Sequence, residues 1–176
     1  MKSIVHLERQ LEQSLCDHPE LIDDSLFGIK PGMEALGGDY PTLRKQDSLP
    51  NGRKADIVFI EKKRVTVVEV KRGVLRVQDR SPAEDVVDQI TDYLRQCRLK
   101  YPNRQEYRGF IVGTGVADRN EMNRRLSTAP ERIVALIFGC DIPECIRICT
   151  RCYRAVAWTR HTCVCEEERI AKTQRT

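Results

Sequence analysis

The sequence predicts an α/β sandwich built on a mixed sheet, in one domain that spans residues 1–140. Segments with helical periodicity alternate along the chain with short apolar runs typical of strands. One of these runs, RIVALIFG at 132–139, is apolar almost throughout, as expected for a strand covered on both faces. After Gly139 the composition becomes rich in cysteine and arginine, so we expect a second unit, a small appendage, at 141–176.

The first half of the domain is expected to begin with a helix and to continue into strands. Apolar residues recur on one helical face over 5–16. A loop rich in glycine and proline covers 31–54 and includes a short strand at 42–46. Residues 56–60 and 65–71 predict two strands joined by a tight turn as a hairpin.

The second half alternates helices with strands. Ser81 is a suitable N-cap, Pro82 suits the first helical position, and the periodicity predicts a helix from there to about Lys100. The apolar run at 109–115 predicts a strand, and 117–128 predicts another helix before the strand at 132–139.

The composition is that of a soluble globular protein with a slight excess of positive charge. Of the 176 residues, 40% are hydrophobic and 32% are charged, and the formal net charge is +4. This charge is compatible with a polyanionic partner but does not establish one. We find no signal peptide and no stretch with the apolar length of a membrane span, so we expect a cytoplasmic protein without a membrane partner.

Three charged residues lie in or beside the predicted hairpin. Glu69 and Lys71 share one face of a strand because residues two apart point the same way. If the hairpin forms, Asp56 comes close to Glu69, and two buried carboxylates would repel unless a cation lies between them. Mg²⁺ is bound in proteins by one or two carboxylates together with water and phosphate oxygens. A lysine beside it could orient a water molecule and stabilise the charge on a phosphate undergoing hydrolysis.

Asp56 followed by Glu69-Val70-Lys71 resembles the PD-(D/E)xK signature of restriction-endonuclease-like nucleases, with Ala55 in place of the usual proline. The stretches GRKADIVFI, VVEVKRG, VVDQITDYL and LERQLEQSLCDHPELI are similar to the C-terminal nuclease domain of the NucS/EndoMS-like DNA endonucleases. The resemblance covers residues 5–140 and implies an αβββαβ core, dependence on Mg²⁺ or Mn²⁺, and cleavage of DNA phosphodiesters. It implies that Asp56, Glu69 and the backbone carbonyl of Val70 hold the metal and that Lys71 is the catalytic lysine.

Other positions match the same family outside the hairpin. Glu8 matches the acidic residue of its first helix, and Glu12, one turn further on, takes this place if the alignment shifts. Gln89 matches a glutamine that faces the site from the helix after the lysine strand. Arg44 and Gln46 match a polar pair that is expected to contact the scissile phosphate or the neighbouring bases.

The eight cysteines are unevenly distributed, and six of them lie between residues 140 and 165. In a reducing compartment such clustering favours metal binding over disulfides. The stretch CTRCYRAVAWTRHTCVC places CxxC ten residues before CxC, which suits a structural Zn²⁺ held by four thiolates in a zinc ribbon. The ligands favoured by this spacing are Cys149, Cys152, Cys163 and Cys165.

Other assignments of the cysteines stay open. His161 could replace one of the last pair, and the first two cysteines of the cluster, Cys140 and Cys145, could combine with the CxxC pair. An iron–sulfur cluster with Cys16 as a distant ligand is a further alternative, as are free thiols.

The cysteine-rich segment also carries basic and aromatic residues. Arg151, Arg154 and Arg160 could hold phosphates, and Trp158 could stack on a base or pack against the nuclease domain. The sequence therefore predicts a Mg²⁺- or Mn²⁺-dependent DNA endonuclease. The alternative is a non-catalytic nucleic-acid-binding or adaptor protein that uses the same fold and ribbon. Cutting both strands of DNA would require two sites, which is compatible with a homodimer.

Overall fold

The structure is a computed structural model, and it describes residues 4–36, 39–71, 73–77, 85–137, 146–148 and 155–157. Within these residues the α-helices are α1 (Ile4–Asp17), α2 (Val86–Lys100) and α3 (Arg119–Thr128). The strands are β1 (Thr42–Ser48), β2 (Lys54–Ile60), β3 (Arg64–Val70), β4 (Val74–Leu75), β5 (Glu106–Gly113), β6 (Gly115–Val116), β7 (Arg132–Ile137), β8 (Ile146–Ile148) and β9 (Ala155–Ala157). The α/β class that the sequence predicts is confirmed.

A five-stranded mixed sheet forms the centre of the fold, in the order β1-β2-β3-β5-β7. The strands β1, β2 and β3 pair antiparallel, which confirms the predicted hairpin. The strands β3, β5 and β7 are parallel and are connected through α2 and α3. Two short strands, β4 and β6, form a separate parallel pair beyond the ends of β3 and β5.

Each face of the sheet packs against helices. The residues of α1 share a core with Ile57, Phe59 and Val68 on one face. The residues of α2 and α3 share a core with Val58 and Val67 on the other face. As a result, every residue of β3 after Arg64 is buried.

Helix α2 begins later than the sequence predicts. Asp85 is its N-cap, and the carboxylate accepts hydrogen bonds from the backbone N–H groups of Val87 at 2.8 Å and Asp88 at 3.1 Å. These bonds satisfy N–H groups that have no partner within the helix. The predicted cap Ser81 and the following Pro82 lie outside the described residues.

The cysteine-rich segment is described only in part. Strands β8 and β9 pair antiparallel, and β8 lies beside β7. The four proposed zinc ligands and the three arginines predicted to contact nucleic acid lie outside the described residues. Among the residues that the structure describes, no helix combines the length and the apolar character needed to cross a membrane.

Gly109 on β5 allows α2 to approach the sheet closely. A Cβ atom at this position would lie 2.7 Å from Ile90 Cγ1 and 3.2 Å from Leu94 Cδ1, both on α2. We therefore expect Gly109→Ala to lower the free energy of unfolding by about 1–3 kcal/mol, because α2 must shift outward. Urea denaturation measures this change. Gly73→Ala is the matched control, since a Cβ there meets no atom within 4 Å, and an equal loss in both variants would contradict the close approach.

Candidate active site

The hairpin places two carboxylates side by side. Ile57 is paired with Val68, and in the same register Asp56 comes opposite Glu69, where the regular ladder has ended. Instead of a ladder bond, the backbone N–H of Val70 donates to Asp56 Oδ2 at 2.7 Å. The side chain of Asp56 is therefore held at the point where strands β2 and β3 separate.

Glu69 is buried and incompletely hydrogen-bonded. Its residue surface is only 3% exposed, although it carries a carboxyl group. Its Oε1 accepts hydrogen bonds from Lys71 Nζ at 2.5 Å and from Gln89 Nε2 at 2.7 Å. Its Oε2 is buried and receives no hydrogen bond from a donor group. When Glu69 is protonated, its side chain shares a hydrogen bond with Asp56, which adds to the rise in its pKa. A buried carboxylate oxygen without a donor is unfavourable, so the ionised form of Glu69 is destabilised.

The electrostatics of the site favour a proton or a cation at Glu69. Burial raises the pKa of Glu69 to about 8, and repulsion by Asp56 adds to this rise, while Lys71 opposes it. The nearby ammonium therefore does not offset the burial. At neutral pH a divalent cation would have to displace this proton before the carboxylate could act as a ligand.

Gln89 connects the acidic pair to helix α2. Besides its bond to Glu69, its amide nitrogen donates to the hydroxyl of Tyr93 at 2.8 Å. Tyr93 is buried, and burial raises its pKa. Our reading of the sequence missed Tyr93, although its spacing of four residues from Gln89 puts both on one helical face.

The first helix contributes Glu12 at the border of the site. This residue is 8% exposed, and its Oε1 lies 3.6 Å from Lys45 Nζ. Burial raises the pKa of Glu12, Lys45 opposes the rise, and Asp56 adds to it. Glu8 lies on α1, one turn earlier, and its side chain is outside the described residues. The acid that the described side chains bring towards Asp56 is thus the alternative, Glu12.

The two polar residues of β1 that match the family, Arg44 and Gln46, have different surroundings. The amide of Gln46 donates to Asp56 Oδ1 at 3.1 Å, so this side chain contacts the acidic pair. The side chain of Arg44 is half exposed, and it lies 3.8 Å from the carboxylate of Asp47. Among the described residues, Arg44 forms no hydrogen bond or ion pair with Asp56 or Glu69.

The donor set fits a small hard cation. Among the described residues, no three side chains of His, Cys, Asp or Glu are grouped to hold a metal. Mg²⁺ does not require three, because it is bound by one or two carboxylates and completed by water and phosphate oxygens. Asp56 and Glu69 supply such a pair, and the unpartnered Oε2 of Glu69 is a free ligand atom.

Cys16, the distant ligand considered for an iron–sulfur cluster, lies near the end of α1 and is fully buried in the core on that face of the sheet. Burial raises the pKa of its thiol to about 11. The cysteines that would share a cluster with it lie outside the described residues, so the iron–sulfur cluster stays an alternative.

A cavity of about 370 Å³ lies apart from the acidic residues, between α3 and β7. Its walls are largely apolar, and they include Met122, Leu126 and Ile133. None of the residues that the sequence predicts to be functional lines it. We therefore place the candidate site at the acidic pair.

Comparison of the chain with protein-family models, curated proteins and solved structures gave no match. The likeness to restriction-endonuclease-like nucleases is therefore a resemblance of sequence motifs and stays a prediction.

Glu69→Gln tests whether the buried carboxyl group titrates as described. Because burial raises its pKa from 4.5 to about 8, Glu69 contributes stability below pH 4.5 that is lost as the pH rises to about 8. The loss is on the order of 5 kcal/mol. Glutamine does not titrate, so the variant should exceed the wild type in Tm at pH 9 and equal it near pH 4, with a chelator present. A gap in Tm that is the same at both pH values would contradict the raised pKa.

Proposed function

We propose that this protein is a metal-dependent deoxyribonuclease that hydrolyses DNA phosphodiester bonds, with a restriction-endonuclease-like αβββαβ core. The observation that carries the proposal is the buried Glu69, which faces Asp56 and has one oxygen without a partner. A pair of carboxylates of this kind is unfavourable for stability alone. It becomes useful once a divalent cation neutralises both groups.

The roles follow from the contacts. Asp56 and Glu69, with the backbone carbonyl of Val70, would hold Mg²⁺ or Mn²⁺. Glu12 would be the acidic residue that the first helix contributes at the border of the site. Held there, the ion would supply the chemistry of an activated water molecule and of charge neutralisation at the phosphate. Hydrogen bonds from Gln46 and Val70 to the two oxygens of Asp56 fix the orientation of this carboxylate before any ligand arrives.

Lys71 and Gln89 act on the other carboxylate. Both donate to Oε1 of Glu69, which leaves Oε2 as the atom available to a cation. The side chain of Lys71 remains 32% exposed, so its ammonium group is accessible from the solvent side, where a phosphate would enter. In this position it can stabilise negative charge that develops on the phosphate and assist the attacking water.

Two further parts of the chain are proposed to bind nucleic acid. The side chain of Arg44 is half exposed on β1, which suits a contact with the DNA backbone. The cysteine-rich segment at 141–176 is proposed as a zinc ribbon, and its Arg151, Arg154 and Arg160 are proposed to contact phosphates. A homodimer would supply the second site that double-strand cutting needs.

The competing function is nucleic-acid binding without cleavage, by a nuclease-like domain that serves as an adaptor. It is favoured by one observation, the absence of a third acidic or histidine ligand grouped with Asp56 and Glu69 among the described residues. The two functions differ in whether a divalent cation produces cut DNA.

Asp56→Asn and Lys71→Ala are expected to reduce cleavage at least about a hundredfold, because each removes a charge from the reacting centre. The measurement uses supercoiled plasmid, single-stranded DNA and branched DNA with Mg²⁺ or Mn²⁺, followed by EDTA. Circular dichroism and Tm verify that both variants are folded, since asparagine can still accept the N–H of Val70.

The matched controls lie at the opposite ends of the strands. Glu131→Gln changes an acid just before β7, and Lys63→Ala changes an exposed lysine just before β3. Both should cleave like the wild type. Full activity in Asp56→Asn and Lys71→Ala would refute the nuclease assignment, and band shifts without any cut product would support the adaptor function.

The zinc proposal predicts about one zinc ion per chain, measured by mass spectrometry of the purified protein. Cys152→Ser should lose the metal because it removes one of the four thiolates. Cys16→Ala is the matched control and should retain zinc, since Cys16 lies on α1, buried in the core of the main domain. Iron together with visible absorbance would instead indicate an iron–sulfur cluster, and a metal content unaffected by Cys152→Ser would exclude this ligand set.

A further inference from the structure

Strand β1 changes the face to which its side chains point. Residues two apart on a strand share a face. Lys45 lies beside Glu12 of α1, on one side of the sheet. Asp47 instead accepts a hydrogen bond from Lys100 Nζ at 2.7 Å, at the end of α2 on the opposite side. The alternation of β1 is therefore reversed between these two residues.

Strand β2 makes the same reversal at the paired position. Ala55 packs in the core shared with α2, whereas Ile57 packs in the core shared with α1. The regular pairs of β1 and β2 are present on either side, but the pair in the middle, Gln46 with Asp56, is missing from the ladder. In both strands the faces to which side chains point are thus exchanged at the same paired position, which contains Asp56, the proposed metal ligand.

The backbone of Gln46 permits this exchange. Its φ angle is +49°, and among the described residues it is the only non-glycine residue with a positive φ. Such a conformation is unfavourable for a residue with a side chain, and it persists where the surroundings impose it. A glycine would adopt it more readily, so glutamine at this position combines a strained backbone with a side-chain amide.

The side chain of Gln46 holds one oxygen of Asp56. Its amide donates to Asp56 Oδ1 at 3.1 Å. The second oxygen of Asp56 is fixed by Val70, so Gln46 completes the restraint on this carboxylate.

We propose that Gln46 is a positioning residue for the metal site: its strained backbone holds an amide against Asp56 and so orients Asp56 towards Glu69. The sequence resemblance had assigned Gln46 to contacts with DNA. In this proposal Gln46 acts through Asp56 and sets the affinity for the cation. The inference rests on the proposed function, because it assumes that Asp56 and Glu69 bind a divalent ion.

The test measures Mn²⁺ binding to the full chain without DNA, by isothermal titration calorimetry, together with Tm. Gln46→Gly removes the amide and relieves the backbone strain. We expect Mn²⁺ affinity to fall at least about tenfold, as for other residues that orient metal ligands, while Tm stays equal or rises. Ser48→Gly, an exposed position on the same strand, is the matched control, and it should lower Tm slightly and leave Mn²⁺ affinity unchanged.

Asp56→Asn distinguishes a failure of the positioning role of Gln46 from a failure of the proposed metal site. If Asp56→Asn abolishes Mn²⁺ binding but Gln46→Gly binds like the wild type, the positioning role is overturned and the proposed function stands. If Gln46→Gly lowers both Tm and affinity, Gln46 serves the fold instead, and the inference is also overturned. If Asp56→Asn binds Mn²⁺ normally, the proposed metal site itself fails, and the inference fails with it.

Discussion

Strand β3 is covered by α1 on one face and by α2 on the other, so a carboxyl group carried on it has almost no access to water. Glu69 is placed on this strand, and the contacts around it follow from that position. Lys71 and Gln89 supply donors to one oxygen, and Gln89 is in turn held by Tyr93. Even so, the second oxygen is left without a partner, and the neighbouring carboxylate of Asp56 adds repulsion. The ionised site is therefore less stable than an apolar core would be. A divalent cation bound there would neutralise both carboxylates and so raise the stability of the folded protein.

The parts of the fold that the sequence predicts well are those with a strong local pattern. The hairpin β2–β3 consists of two apolar runs with a short turn, and α2 has a clear buried stripe. Strand β1 has a weak pattern because its alternation is reversed at Gln46, so the sequence predicts only 42–46 of a strand that reaches Ser48. The prediction that α2 begins after Ser81 is wrong, because serine and aspartate are equally good N-cap residues by type. The choice between them depends on packing. Asp85 is buried, and its Oδ2 lies 3.2 Å from Arg125 on α3.

The candidate site also has some features that the sequence predicts and others that it does not. The relation between Glu69 and Lys71 depends only on the period of a strand, and their meeting with Asp56 depends only on the hairpin. The acid of the first helix is different, since Glu8 and Glu12 lie four residues apart on one helical face and periodicity cannot separate them. The choice depends on how α1 lies across the sheet. Nor does the sequence reveal a positive φ at Gln46, because glutamine has no preference for that conformation.

The sheet consists of an antiparallel meander, β1 to β3, joined by short turns, and a parallel half whose strands are joined through helices. Contacts between neighbours in the chain close small loops, whereas pairing β3 with β5 closes a much longer one that contains α2. Loop-closure entropy therefore favours formation of the meander before the parallel strands dock. In that order Asp56 meets Glu69 while both are still hydrated, and Gln89 covers Glu69 only when α2 arrives. In this order the register of the hairpin is set before burial raises the pKa of Glu69.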